Sequence, residues 1–211
     1  MIVAVDGPAA SGKGTIARAL ARHYGLPHLD TGLLYRAVGL GVLRAGGDPT
    51  SPGDALDACD FTDGLLHDPN LKSEAAAKAA SQVSTFPAVR AALLERQRAF
   101  AAQPGGAVLD GRDIGTVIAP EAPAKLFVTA SPEIRAARRH HELVGLGLDV
   151  SLEAVLHDIR SRDERDRGRS AAPLRMADDA ALLDTSEMGI EQAVQRALAL
   201  VEARIRTAAN D

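Results

Sequence analysis

Tryptophan is absent from this chain, and phenylalanine and tyrosine number only four and two among 211 residues. Aromatic platforms on which single-stranded nucleic acid could stack are therefore poorly supplied. There is no surplus of positive charge either. The formal net charge is −4 at pH 7, which argues against a general nucleic-acid or anionic-membrane surface. The lone cysteine, Cys59, can close no internal disulfide, and its expected role is that of a small buried hydrophobe in a reducing cytosol. No apolar run reaches membrane-spanning length, and no basic segment followed by a long apolar stretch opens the chain. A cytoplasmic protein without membrane or nucleic-acid partners is the expectation. Lysine is also scarce, at four of the 24 basic residues, the remainder being arginine. A compositional bias would account for this, and so would a need for planar, bidentate phosphate clamps. Position has to decide, residue by residue.

What the chain does possess begins with Gly7-Pro8-Ala9-Ala10-Ser11-Gly12-Lys13-Gly14-Thr15. This stretch follows a short apolar run, Ile2 to Val5, and precedes a helical pattern, Ile16 to Tyr24. Strand, glycine-rich loop and helix are the context of a phosphate-binding loop. Glycines let backbone N–H groups curl around phosphate oxygens, and the helix N-terminus adds its dipole. Lys13 is the charge that reaches the outer phosphates. The general pattern places Ser or Thr directly after the lysine, whereas here Gly14 intervenes before Thr15.

Further along, short apolar segments alternate with helical patterns. Pro27 to Asp30, Ala107 to Leu109, Lys125 to Thr129 and Leu182 to Asp184 read as strands. Helices are expected after Thr31 as N-cap, after Ser51-Pro52, from Ser73, beyond Phe86-Pro87, after Ser131-Pro132 and after Ser151. Residues 60–72 read as loop. A last helix over about 189–206 carries Ile190, Val194, Leu198, Val201 and Ile205 on one face, suited to core packing. The alternation predicts an α/β fold, a parallel five-stranded sheet covered by helices on both faces, with ligands beyond the C-terminal strand ends. One domain spans 1–211, divided into a core (1–35, 86–150, 172–211), a small helical insertion (36–85) and a short Arg-rich lid (151–171).

Two other clusters carry chemistry. In Arg160 to Arg169, an advance of about 100° per residue puts Arg162, Arg165, Asp166 and Arg169 on one face. That face holds three guanidiniums and one carboxylate, a positive surplus suited to polyphosphate. Alone the segment also reads as an exposed salt-bridged helix. Asp110-Gly111-Arg112-Asp113 lies just past a predicted strand, where P-loop proteins keep a Mg²⁺-associated carboxylate, although Asp-Gly is also ordinary turn chemistry. Arg36, and Ser81 with Arg90, are weaker candidates. The six histidines suggest no metal site, and the adjacent His140 and His141 read as surface.

Taken together, these residues resemble the nucleoside monophosphate kinases of the P-loop class, and among them the bacterial cytidylate kinases. The resemblance is carried by Gly7-Pro8 with Gly12-Lys13-Gly14-Thr15, Asp30-Thr31-Gly32 with Tyr35-Arg36, Ala79 to Val83 with Arg90, Asp110 to Thr116, and Arg162 to Arg169. It covers essentially the whole chain. Thr31 stands where many members have Ser, and residues 57–72 leave little room for the small antiparallel sheet that members often carry.

The resemblance implies a P-loop kinase fold whose insertion binds the nucleoside monophosphate, and phosphoryl transfer from ATP with Mg²⁺ to CMP or dCMP by a monomer. Gly7, Pro8, Ala9, Ala10, Ser11, Gly12, Lys13, Gly14 and Thr15 would hold the ATP phosphates. Arg36, Arg112 and Arg162 would clamp the acceptor phosphate. Thr31, Ser81, Arg90, Asp113 and Arg169 would surround cytosine, and Asp166 would take the sugar hydroxyls. Lys13, Arg112, Arg162 and Arg165 would offset charge on the transferring group, with Thr15 and Asp110 near Mg²⁺. By looser analogy, one of Arg135, Arg138 and Arg139 would lie near the ATP base or the transferring phosphoryl. Two other readings stay open on the residues alone: a P-loop kinase for a different small acceptor, and a non-enzymatic ATP sensor.

Overall fold

Short apolar strands flanked by helices need cover on both faces, and the computed structural model, which describes residues 1–208, supplies it. β1 (Ile2–Asp6), β2 (His28–Asp30), β3 (Ala107–Gly111), β4 (Ala124–Thr129) and β5 (Ala181–Asp184) form one sheet in the order β2-β3-β1-β4-β5. Every neighbouring pair is parallel. Alternate residues serve opposite faces. Val3, Val5, Val108, Leu126, Val128 and Leu183 pack with α1 (Lys13–Tyr24) and α8 (Ile190–Ala208). Ala4, Ala107 and Leu109 pack on the other side with α5 (Pro87–Ala101) and a single π-helical turn at 114–118. Gly25, left-handed at φ 64°, closes α1 where the sequence marks a stop.

The insertion is helical. α2 (Thr31–Arg44), α3 (Pro52–Asp57) and α4 (Glu74–Val83) lean on α5 around Leu34, Val38, Val42, Ala55, Val83, Val89 and Leu93. Among the described residues no strand lies between β2 and β3. Ser51 and Ser73 cap α3 and α4 as their hydroxyls predict. Cys59 is half-buried against this small core.

Three local expectations need correction. The N-cap of α2 is Asp30, whose Oδ1 accepts from Gly32 N at 2.9 Å, and not Thr31. Thr31 instead turns its hydroxyl to the Asp110 carbonyl at 2.9 Å, because β2 lies beside β3 and that buried acceptor is within reach. Residues 60–72 are not plain loop: Asp63–His67 and Pro69–Lys72 form 3₁₀ turns, the second capped by Asp68. On α8, Ile190 is 70% exposed, whereas Ala193, Ala197 and Val201 are buried. Val194, Leu198, Val201 and Ile205 pack against the sheet with these alanines as expected, and only Ile190, in the first turn, projects to the rim of the cleft.

α6 (Pro132–Gly145) and α7 (Leu152–Gly168) complete the chain, capped by Ser131 and Ser151. The Arg-rich segment rides on the C-terminal half of α7. No helix among the described residues is long and apolar enough to cross a membrane.

Candidate active site

The C-terminal ends of β1, β2 and β3 open into a cleft of about 690 Å³. Its floor is the glycine-rich loop. Ala10 adopts φ 57°, a strained conformation for a residue with a side chain, and Gly12 adopts φ 89°. These left-handed residues curl the chain so that Ala9 to Thr15 line the cleft. Gly7 and Pro8 are buried beneath it and do not line it. A Cβ on Gly7 would sit 2.0 Å from the Val128 carbonyl oxygen, so the loop can begin there only with glycine. Lys13 opens α1 at the floor. Burial, and next the positive charge of Arg112, pull its ammonium down to about 8.

Beside the loop stands Asp110, 2% exposed. His28 Nε2 lies 2.7 Å from its Oδ1, while Oδ2 is directed at Gly14, 3.7 Å from where a Cβ would be. Burial, and then the neighbouring Asp110 carboxylate, push the Asp30 carboxyl up. Thr15 is exposed, and its hydroxyl accepts from Arg18 at 3.3 Å. Carboxylate and hydroxyl oxygens next to a phosphate-cradling loop suit Mg²⁺, a hard ion that uses one or two carboxylates, water and substrate phosphates. No group of three or more His, Cys, Asp or Glu side chains arranged to hold a metal ion occurs among the described residues.

The opposite half of the cleft is arginine-rich. Arg36 donates to the Leu71 carbonyl at 2.8 Å and Arg162 to the Ala77 carbonyl at 2.9 Å, with Asp158 Oδ2 in a looser ion pair 3.7 Å from Arg162 Nη1. Burial pulls the Arg36 guanidinium down, and burial with the charges of Arg112 and Arg36 pulls Arg162 down to about 10. Arg112 differs. Burial opposes its charge too, but Asp166, accepting from its Nε at 2.8 Å, holds it above its ordinary value. Three guanidiniums thus line this half of the cleft, one hydrogen-bonded to Asp166 and another 3.7 Å from Asp158, and an anion would relieve their mutual repulsion.

Deeper in this half, Asp113 accepts from Arg90 Nη2 at 2.5 Å, and both side chains are buried. Arg169 Nη2 stops 4.0 Å from Asp113 Oδ1 and has no hydrogen-bond partner, and neither has the hydroxyl of Tyr35. Unpaired buried polar atoms lining a cleft mark where a polar ligand would be read. Thr31, Ser81 and Asp166 lie on the same wall. Arg165 does not line the cleft; its Nε donates to the Ser81 hydroxyl at 3.1 Å, from behind.

Several side chains take contacts that the sequence did not assign to them. Arg135 is 1% exposed and wholly engaged: Nε on the Ala130 carbonyl, Nη1 on the Ala9 carbonyl, and both terminal nitrogens on Asp163 at 2.9 and 2.5 Å. It ties the phosphate loop to α7. Arg138 is held by Thr185, at its hydroxyl and its carbonyl oxygen. Of the three candidates for a place near ATP, Arg138 and Arg139 line the cleft, and Arg139 pairs with Glu74 and Glu142. His28 and Asp6 also emerge, the latter accepting from two backbone amides. A charged residue at the last position of a buried strand was the available signal for Asp6. His28 gave none, since its partner lies 82 residues away.

Comparison with known proteins places this geometry in context. The family described as "Cytidylate kinase" matches residues 3–203. A protein named "Cytidylate kinase" from Xanthobacter autotrophicus is 63% identical over 205 residues, covering 97% of this chain and 98% of its own. One of the same name from Caulobacter sp. is 59% identical over 202 residues, covering 95% and 94%. Among solved structures, a gluconokinase from Sinorhizobium meliloti superposes with a TM-score of 0.51 at 16% identity, covering 99% of this chain and 93% of its own, a likeness of fold.

Proposed function

The chain belongs to the cytidylate kinase family, and from that premise we propose that it transfers the γ-phosphoryl group of ATP to the 5′-phosphate of CMP or dCMP. The bond from the γ-phosphorus to the bridging oxygen breaks, its electron pair leaves with ADP, and an oxygen of the acceptor phosphate forms the new bond. That acceptor is anionic at neutral pH, so no general base is required, and catalysis rests on alignment and charge stabilisation. The observation that carries the reading is the cleft itself. A phosphate loop faces Arg36, Arg112 and Arg162 across it, and the buried Asp113–Arg90 pair closes its far end.

In this reading Ala9 to Thr15 cradle the ATP phosphates with backbone N–H groups, supported from below by Gly7 and Pro8. Lys13 meets the outer phosphates. Arg36, Arg112 and Arg162 grip the acceptor phosphate, and Arg112 and Arg162 also offset charge as the phosphoryl moves. Arg165 contributes positive charge from behind Ser81. Thr15 and Asp110 would hold Mg²⁺, which would supply neutralisation of the ATP phosphate charge. His28 fixes one oxygen of Asp110 so that the other faces the loop.

Selectivity follows from hydrogen-bond polarity. Cytosine presents a 4-amino donor next to ring-nitrogen and carbonyl acceptors. Asp113 accepts from the amino group, and Arg90, Arg169, Ser81 and Thr31 serve the remaining edge. Uracil reverses the pattern and would leave buried groups unpaired. Asp166 takes the sugar hydroxyls. Residues 36–85 act as the monophosphate-binding part and 151–171 as the lid, and together they exclude water, the unwanted acceptor. Every residue used comes from one chain, so a monomer suffices.

The test is ADP release from ATP and Mg²⁺ with CMP, dCMP, UMP or AMP in turn. Strong turnover with the two cytosine nucleotides and little with the others is expected. Equal turnover with UMP would remove the Asp113 argument. No turnover with any of the four would point to another acceptor.

A further inference from the structure

Asp6 is the last residue of β1, directly before the phosphate loop, and it is 5% exposed. Its Oδ1 accepts from Ile114 N and its Oδ2 from Gly115 N, each at 2.8 Å, across more than a hundred residues of sequence. Those two N–H groups open the 114–118 turn, where no earlier carbonyl of the turn can reach them. One carboxylate with two acceptor oxygens satisfies both. The pocket fits it closely: a Cβ on Gly115 would lie 3.4 Å from Oδ2 and 3.1 Å from Lys125 Cδ. No salt bridge to Asp6 forms among the described residues, and burial pushes its carboxyl up to about 7. A buried carboxyl without a cationic partner opposes folding, so its presence at the end of the strand that enters the phosphate loop calls for another role.

The geometry points to that role. The residue immediately before the clamped amides is Asp113, in an unusual conformation (φ −147°, ψ 23°). Fixing the peptide planes after Asp113 fixes the direction in which its side chain leaves the backbone, and hence the 2.5 Å contact with Arg90. We propose that Asp6 is a positioning residue: from the donor-side strand it orients Asp113, and through it sets affinity and selectivity for the acceptor nucleobase. The inference rests on the cytidylate-kinase reading of the cleft. It adds that the strand entering the phosphate loop and the group that reads the base are one mechanical unit, since Asp6 is bonded to both Gly7 and the 114–115 amides.

Asp6→Asn keeps the shape but directs an NH₂ group at one of the two amide donors. Asp6→Ser keeps a single small acceptor. Steady-state kinetics of both variants are compared with the unaltered enzyme, using CMP, UMP and ATP as varied substrates. The expected result is a KM for CMP raised about tenfold and a CMP-over-UMP preference lowered at least tenfold, the scale of one lost hydrogen bond to a charged group. The kcat and the KM for ATP should stay within about twofold. Unchanged CMP affinity and selectivity in both variants would overturn the proposal. So would equal losses in every parameter together with a lowered Tm, which would make Asp6 merely structural. Hydrogen exchange on the nucleotide-free protein decides the point independently of activity. Protection of the Ile114 and Gly115 amides should fall at least tenfold in Asp6→Asn, with the sheet amides unchanged; undiminished protection overturns the proposal. If the unaltered protein phosphorylated no cytosine nucleotide, the reading of the cleft would fail, and exchange would still settle whether Asp6 holds the turn.

Discussion

Lys13 and Asp113 stand at opposite ends of the cleft and make opposite demands on charge. Lys13 must be protonated to meet a terminal phosphate, yet burial and Arg112 bring its ammonium down to about 8. Raising the pH through that value removes the proton and the attraction. The KM for ATP is therefore expected to rise between pH 7 and 9, by at most about tenfold per unit. An ATP KM flat over that range would contradict the assignment. Asp113 must offer an acceptor oxygen to the base, and Arg90 Nη2 donates to its Oδ2 at 2.5 Å. Asp113→Ala is expected to lower the CMP-over-UMP preference by about 100-fold, because the site loses the acceptor that separates the two bases. It also strands a buried guanidinium at a cost of about 3 kcal/mol, visible as a lower Tm. Retention of the preference with an unchanged Tm would refute both points. Lys13 was legible from spacing. The partnership of Asp113 with Arg90 was not, since 23 residues and a strand separate them.

Helix packing supplies two cases in which a tertiary contact outweighs what the local sequence favours or records. Gly39 lies in the interior of α2, where alanine would gain about 1 kcal/mol of helix propensity. A Cβ there would stand 2.8 Å from both Ala79 Cβ and Ala80 N of α4, one of them rigid backbone. Overpacking of that kind costs about 1–3 kcal/mol, so contact outweighs propensity. Gly39→Ala is expected to lower stability by about 1–2 kcal/mol net in denaturant melts; a stabilised variant would show that α2 and α4 can separate freely. The second case is Arg135 with Asp163. Arg135→Met leaves Asp163 buried without its cation and is expected to cost about 3–5 kcal/mol. Replacing Asp163 by Leu as well should recover much of the loss, and a double variant no better than the single would place the cost in the freed Ala9 carbonyl instead. The helical periodicity of 160–169 put Arg162, Arg165, Asp166 and Arg169 on one face; Arg162, Asp166 and Arg169 line the cleft, whereas Arg165 turns to the Ser81 hydroxyl. The periodicity could not show that Asp163 turns inward, because Arg135 lies on a different helix.

Across the whole molecule, residues 36–85 and 151–171 already touch. Arg162 reaches Ala77, Arg165 reaches Ser81, and Arg139 pairs with Glu74, so α7 and α6 both contact α4 over the cleft. Nucleotides entering between these elements would engage both at once. CMP alone, or a non-transferable ATP analogue alone, each at about 100 times its Kd, should stabilise the protein by about 2.7 kcal/mol, or about 5–10 °C in Tm. Together they are expected to exceed the sum, since ordering of the shared elements is needed once only. Strictly additive shifts would indicate two half-sites that do not communicate.

The parallel α/β order, the glycine-rich loop and most helix ends were determined by sequence alone, which also offered candidate residues for two nucleotides. Each is written locally, in a period of two or 3.6, a cap, a glycine spacing or a resemblance carried by contiguous residues. Tertiary structure decided what lies between them: that Asp30 rather than Thr31 caps α2, that Ile190 overhangs the sheet, and that Arg135 braces the phosphate loop. It also decided that His28 orients Asp110 and that Asp6 holds the turn beyond Asp113. These depend on pairing groups up to 126 residues apart. A buried donor or acceptor takes whichever partner the sheet order and the crossovers bring alongside it, and periodicity along one segment carries no record of that neighbour.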